Sequence, residues 1–128
     1  MDVNRNSASV FNDRRRVLCL VALLLALGEI ADAFFVSFPA GPAVYAALLL
    51  AAALWTRRGG LGGPTLLAVL FVFEIANAPF WPRHGAGDWI SSAAYGVMAL
   101  AGLLVASTVI RQSVKTRKTE TRTVQAKA

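Results

Sequence analysis

Two copies of one short motif, 45 residues apart, decide how this chain is expected to fold. Residues 28–35 read GEIADAFF, and residues 73–80 read FEIANAPF. Each copy places a glutamate, and three residues later an Asp or Asn, inside a long apolar run. Carboxylates are costly and rare inside membrane helices. The two motifs therefore carry the main polar chemistry of the apolar segments.

The composition predicts a membrane protein. Hydrophobic residues make up 56% and charged residues 16% of the 128 positions, and both values depart from those of soluble domains. The net charge of +6 resides in the ends and loops, because the apolar runs contain acids but no Lys or Arg. We therefore expect a single domain whose basic residues face anionic lipid head groups rather than nucleic acid. Cys19 is the single cysteine, so no internal disulfide forms.

Four apolar segments predict an all-α integral membrane protein with four transmembrane helices. The spans are expected at about residues 17–38, 40–55, 65–81 and 89–110. Residues 1–16 form a polar N-terminal segment, and the basic tail at residues 111–128 is expected to be disordered because it has no apolar area to bury. The first segment has a second interpretation as a cleavable signal peptide, because basic residues, an apolar run and the small residues of Ala31-Asp32-Ala33 follow in that order.

The distribution of Lys and Arg predicts that both termini face the cytoplasm. Twelve of these residues lie in residues 1–16, 56–64 and 111–128, whereas the loops on the opposite side carry Arg83 alone. An asymmetry of this size over short loops sets membrane orientation. We expect a multi-pass protein of the bacterial cytoplasmic membrane, with anionic head groups bound at the basic tail.

Polar matches between the two halves predict that a helical hairpin was duplicated. The equivalent pairs are Glu29 with Glu74, Asp32 with Asn77 and, after a five-residue insertion, Tyr45 with Tyr95. Parallel repeats of this kind are related by an axis along the membrane normal. The first and third spans would then occupy equivalent places and turn their polar faces toward each other.

The buried acids admit three interpretations. They fix helix packing through hydrogen bonds, they bind protons or cations in a transporter or channel-like protein, or they contact a partner subunit of which this chain is an accessory. The candidate proton- or cation-binding residues are Glu29, Asp32, Glu74 and Asn77, with Tyr45 and Tyr95 in support. No basic residue lies in any span, so at least one glutamate is expected to be protonated at pH 7.

The sequence does not predict an enzyme. His84 and Asp88 lack metal-ligand spacing, and Ser91 and Ser92 have no base nearby in the sequence. No phosphate-binding loop or cofactor motif is present, so we expect neither a metal nor a cofactor.

Small residues in the second and fourth spans predict close helix packing. Gly102 and Ala106, for example, lie four residues apart on one face of the fourth span. Such residues let helix backbones approach in lipid, either within the chain or in a homodimer or larger membrane complex.

Overall fold

The computed structural model describes residues 2–128, with side chains described from Arg5 onward, and this part of the chain is helical without strands. Its elements are α1 (Asp2–Ala33), α2 (Ala40–Arg57), α3 (Gly62–Asn77), a 3-10 turn (Ala78–Phe80) and α4 (Ala86–Lys127). The predicted all-α fold is confirmed.

Each helix packs against two others. The interfaces of α1 with α2 and of α3 with α4 are the most extensive, and those of α2 with α3 and of α1 with α4 are smaller and nearly equal. Consequently α1 and α3 lie diagonally across the bundle. Small residues allow α3 and α4 to approach each other closely, because a Cβ at Gly102 of α4 would lie only 2.7 Å from the ring of Phe71 on α3.

The outer surface of the bundle is apolar on all four helices. Exposed side chains include Leu24 on α1, Val44 on α2, Val69 on α3 and Leu104 on α4, each more than half exposed. A continuous surface of this kind is unfavourable in water and is required in lipid. Helices α2 and α4, and α3 together with the 3-10 turn, are long and apolar enough to cross a bilayer. The structure therefore supports a membrane protein.

Helix α1 is not among these candidate spans, and charged residues flank and interrupt its apolar part. Its apolar part, from Val17 to Ala33, follows three arginines and contains Glu29 and Asp32. The helix ends at Ala33, five residues before the predicted end of the span at residue 38. The backbone turns after Ala33, and the Phe35 N–H donates to the Asp32 carbonyl at 2.9 Å. Residues 2–16 extend α1 as helix.

The tail differs from the disordered segment that its composition predicts, because α4 continues to Lys127. Residues 114–128 are exposed, so packing does not hold this part of the helix. No Gly or Pro follows Gly102, and several threonines donate hydrogen bonds to carbonyls four residues earlier, among them Thr116 to Gln112. No helix breaker interrupts this segment, although its Thr and Val residues are weak helix formers.

The loop between α2 and α3 depends on glycines. Gly59 and Gly60 have φ values of +92° and +86°, a region that disfavours other residues. A Cβ at Gly63 would lie 2.3 Å from the backbone nitrogen of Thr56, so the end of α2 and the start of α3 are in direct backbone contact.

Candidate functional site at the acidic end of the bundle

Glu29 of α1 and Glu74 of α3 face each other across the centre of the bundle. Their helices are diagonal neighbours, and the two side chains are only 3% and 7% exposed. Both carboxyl groups line the same two cavities. We call the half of the bundle that contains these cavities, where α1 and α3 end, the acidic end.

The larger cavity has a volume of about 590 Å³ and contains three of the four predicted acidic-centre residues. Glu29, Asp32 and Glu74 form its deep part. Its outer part is lined by polar residues of α4 and of the loop before it, namely His84, Asp88, Ser91, Ser92 and Tyr95. Of these five residues, the sequence analysis grouped only Tyr95 with the acids, and helix packing brings the other four to the same cavity.

The smaller cavity, of about 370 Å³, lies on the other side of the two glutamates. Asn77 lines this cavity together with Tyr45 and Phe73. The Asn77 amide donates to the Phe73 carbonyl of its own helix at 2.8 Å. Asn77 is therefore close to the predicted centre, but its amide group is already engaged.

Tyr45 connects α2 to the acidic helix of the other hairpin. Its hydroxyl donates to the Leu70 carbonyl at 2.7 Å, and Glu74 lies within hydrogen-bonding reach of the same hydroxyl. The hydroxyl of Tyr45 thus lies between a backbone carbonyl of α3 and the carboxyl group of the same helix.

Tyr95 makes the corresponding connection from α4 to α1. Its side chain lies within hydrogen-bonding reach of Asp32. Its hydroxyl also rests on the backbone of α1, because a Cβ at Gly28 would lie 2.5 Å from the hydroxyl oxygen. Gly28 is thus a site residue that the sequence analysis did not identify, and its position next to Glu29 in the motif was the available signal.

Unlike Glu74 and Asp32, Glu29 has no hydrogen bond among the described residues. Arg83, the one Lys or Arg of the loops at this end, lines neither cavity. The Arg83 guanidinium donates to the Ala78 carbonyl and lies 4.2 Å from the ring centroid of Trp89. A nearly fully buried carboxyl group therefore faces cavity space without a protein counter-ion.

The polar residues at the start of α4 bond to one another. Among the side chains that the structure describes, no three His, Cys, Asp or Glu are placed to hold one metal ion. Asp88 accepts a hydrogen bond from the His84 backbone at 2.8 Å, and the Ser91 hydroxyl donates to the Asp88 carbonyl at 3.1 Å. These interactions order the start of α4.

At the opposite end of the bundle, Arg15 has a role that sequence reasoning missed. Its guanidinium donates to the carbonyls of Thr56 at 3.0 Å and Gly60 at 2.9 Å, and it reaches the Ser113 hydroxyl at 3.5 Å. It thus ties α1 to the end of α2 and to α4. Burial lowers the pKa of Arg15, although a guanidinium stays charged at neutral pH. We call this half of the bundle the Arg15 end.

Comparison of the chain with protein-family models, with curated proteins and with solved structures finds no match. Its function must therefore be argued from the acidic end itself.

Proposed function

We propose that this chain is a four-span membrane protein whose Glu29, Asp32, Glu74 and Asn77 form a proton- or cation-binding centre of a transporter or channel-like protein. One observation carries the proposal. Glu29 is 3% exposed, has no hydrogen bond among the described residues, and lines two cavities. Unpaired intramembrane acids facing cavities characterise proton and ion pathways.

The contacts of the two tyrosines support a duplicated hairpin. The Tyr45 and Phe73 rings are 5.9 Å apart, centroid to centroid, and Tyr95 packs on Gly28. Phe73 and Gly28 are equivalent at the 45-residue offset, so each tyrosine contacts the same position of the opposite hairpin. The nearly equal α2–α3 and α1–α4 interfaces fit the same two-fold relation. We infer that both termini are cytoplasmic from the distribution of Lys and Arg.

A proton fits this centre better than a metal ion. Divalent cations take several oxygen ligands at once, and the described residues offer no group of three His, Cys, Asp or Glu side chains that could share one ion. A proton needs one carboxyl group, and the centre offers those of Glu29 and Glu74. On this proposal the protein is not an enzyme, and the acids act by taking up and releasing a proton.

Proton flux into liposomes tests the proposal. The protein is reconstituted with a pH-sensitive dye inside, and a potassium diffusion potential drives proton entry. Wild type should acidify the lumen, and Glu29→Gln with Glu74→Gln should abolish the signal, because Gln keeps the shape of the acid without its titration. Glu120→Gln, an exposed acid of the tail, is the matched control. Equal flux from all three proteins would refute the proposal.

A structural or accessory role is the second candidate. The hydrogen bonds of Tyr45 and the contact of Tyr95 with Asp32 join helices of different hairpins, as expected of polar groups that fix packing in membranes. In that case Glu29→Gln with Glu74→Gln would leave proton flux unchanged. A stable homodimer or a co-purifying membrane protein would support an accessory subunit, and anionic lipids at the basic tail are compatible with both candidates.

A further inference from the structure

A groove of about 610 Å³ lies on the outer surface between α1 and α2, at the Arg15 end. Its lining changes along its length. One part is basic and polar, formed by Asn12, Arg15, Arg16 and Arg57. The other part is largely apolar and includes Leu20, Leu23, Leu50 and Leu54.

Helical spacing explains this division. On α1, Leu20 and Leu23 follow Arg16 by four and seven residues, so the three lie on one face. On α2, Leu50 and Leu54 precede Arg57 by seven and three residues. Because a short turn makes α1 and α2 antiparallel, the arginines meet at one end of the groove and the leucines at the other.

The basic part is not neutralised by the protein. Arg16 and Arg57 are exposed, and no ion pair involves either within the described residues. Arg15 lines the same part of the groove and is held in place by the carbonyls of Thr56 and Gly60. A guanidinium binds phosphate oxygens in a bidentate manner, so free arginines at a membrane interface suit a phosphate group.

We propose that this groove binds an anionic phospholipid, with the head-group phosphate on Arg16 and Arg57 and the acyl chains on the leucines. The seven residues from Arg16 to Leu23 span about 10 Å of helix, enough for the upper part of an acyl chain. The leucines distinguish this ligand from free phosphate, and basic pockets between membrane helices bind such head groups. The proposal requires that α1 and α2 lie in the membrane, but it is independent of proton binding by the acids.

Lipid binding to the purified full-length protein in detergent tests this proposal, with bound lipid counted by native mass spectrometry. The probes are phosphatidylglycerol, phosphatidylcholine of the same chains, and inorganic phosphate. Wild type should bind phosphatidylglycerol selectively. Arg16→Gln with Arg57→Gln should weaken this binding about 30-fold, because each arginine near the membrane surface contributes about fivefold to the affinity. Arg5→Gln with Arg58→Gln removes the same charge from exposed positions that do not line the groove and should leave it within about threefold.

A second pair of substitutions tests the apolar part. Leu20→Ala with Leu54→Ala shortens two exposed side chains. It should weaken the binding of phosphatidylglycerol, because both leucines line the apolar part of the groove, and leave the binding of inorganic phosphate unchanged. This variant also keeps the test decisive if the arginine variant unfolds.

Three results would overturn the proposal. They are equal weakening by the Arg16, Arg57 pair and by the Arg5, Arg58 control pair, equal binding of phosphatidylcholine, and binding of inorganic phosphate as tight as that of the lipid. The Glu29→Gln, Glu74→Gln protein should bind phosphatidylglycerol like wild type, so failure of proton flux and failure of lipid binding are distinguishable.

Discussion

The two ends of the bundle are built differently. At the Arg15 end, Arg15 satisfies helix-end carbonyls, the Thr56 hydroxyl donates to the Ala52 carbonyl at 2.8 Å, and Gly63 brings two backbones into contact. At the acidic end, two cavities separate the helices and Glu29 has no hydrogen bond among the described residues. Functional sites are commonly less well packed than the framework that holds them. The comparison indicates that the Arg15 end stabilises the bundle, whereas the acidic end carries the proposed proton- or cation-binding centre.

The largest expected effect is at the backbone contact of the Arg15 end. Gly63→Ala places a Cβ 2.3 Å from the Thr56 nitrogen, and backbone cannot move aside as a side chain can. We expect a loss of about 3 kcal/mol in unfolding free energy, measured by denaturant titration in detergent micelles. Gly96→Ala in α4 meets nothing within 4 Å and should be neutral or stabilising. Equal effects of the two substitutions would show that this end is not tightly packed.

Arg15→Gln should have the next largest effect. The substitution removes charge-assisted hydrogen bonds to the Thr56 and Gly60 carbonyls. We expect a loss of about 2 kcal/mol in the same unfolding assay. Arg5→Gln changes an exposed arginine and should leave stability unchanged. If Arg15→Gln were as mild as this control, the Arg15 contacts would not stabilise the bundle.

Tyr45→Phe tests how much a contact at the acidic end contributes to stability, for comparison with those at the Arg15 end. It removes the bond to the Leu70 carbonyl and the group that faces Glu74. Because the ring still packs, we expect a loss of about 1 kcal/mol in unfolding free energy. The same value in a Glu74→Gln background would indicate that Tyr45 and Glu74 are not coupled, so a double-mutant cycle is the measurement.

The smallest expected effect is that of Glu29→Gln at pH 5. The Glu29 carboxyl has no hydrogen bond to lose among the described residues, so unfolding free energy should change by less than about 0.5 kcal/mol. Thermal unfolding of the two proteins in nanodiscs measures the difference. A loss comparable with that of Arg15→Gln would show that Glu29 is part of the framework.

The sequence predicted the all-α membrane fold because long apolar runs have few other solutions in lipid. If the hairpin is duplicated, Glu29 and Glu74 are expected to face each other; the structure places both on the lining of one cavity, and the duplication stays a prediction. The partners of Arg15 were not predictable, because they lie 41 to 98 residues away in the sequence. The cavities depend on side-chain packing, which sequence periodicity does not specify. The helical tail was not predicted, because its composition was judged by the apolar area that it could bury.

The shared wall of the two cavities has a thermodynamic consequence. Glu29 and Glu74 border both compartments, so a guest in either one contacts the same carboxyl groups. Linkage is reciprocal: if protonation of a carboxyl changes the affinity for such a guest, the guest changes the proton affinity by the same free energy. A molecule bound in one compartment would therefore alter the affinity of the other compartment for its own guest, without any movement of the helices.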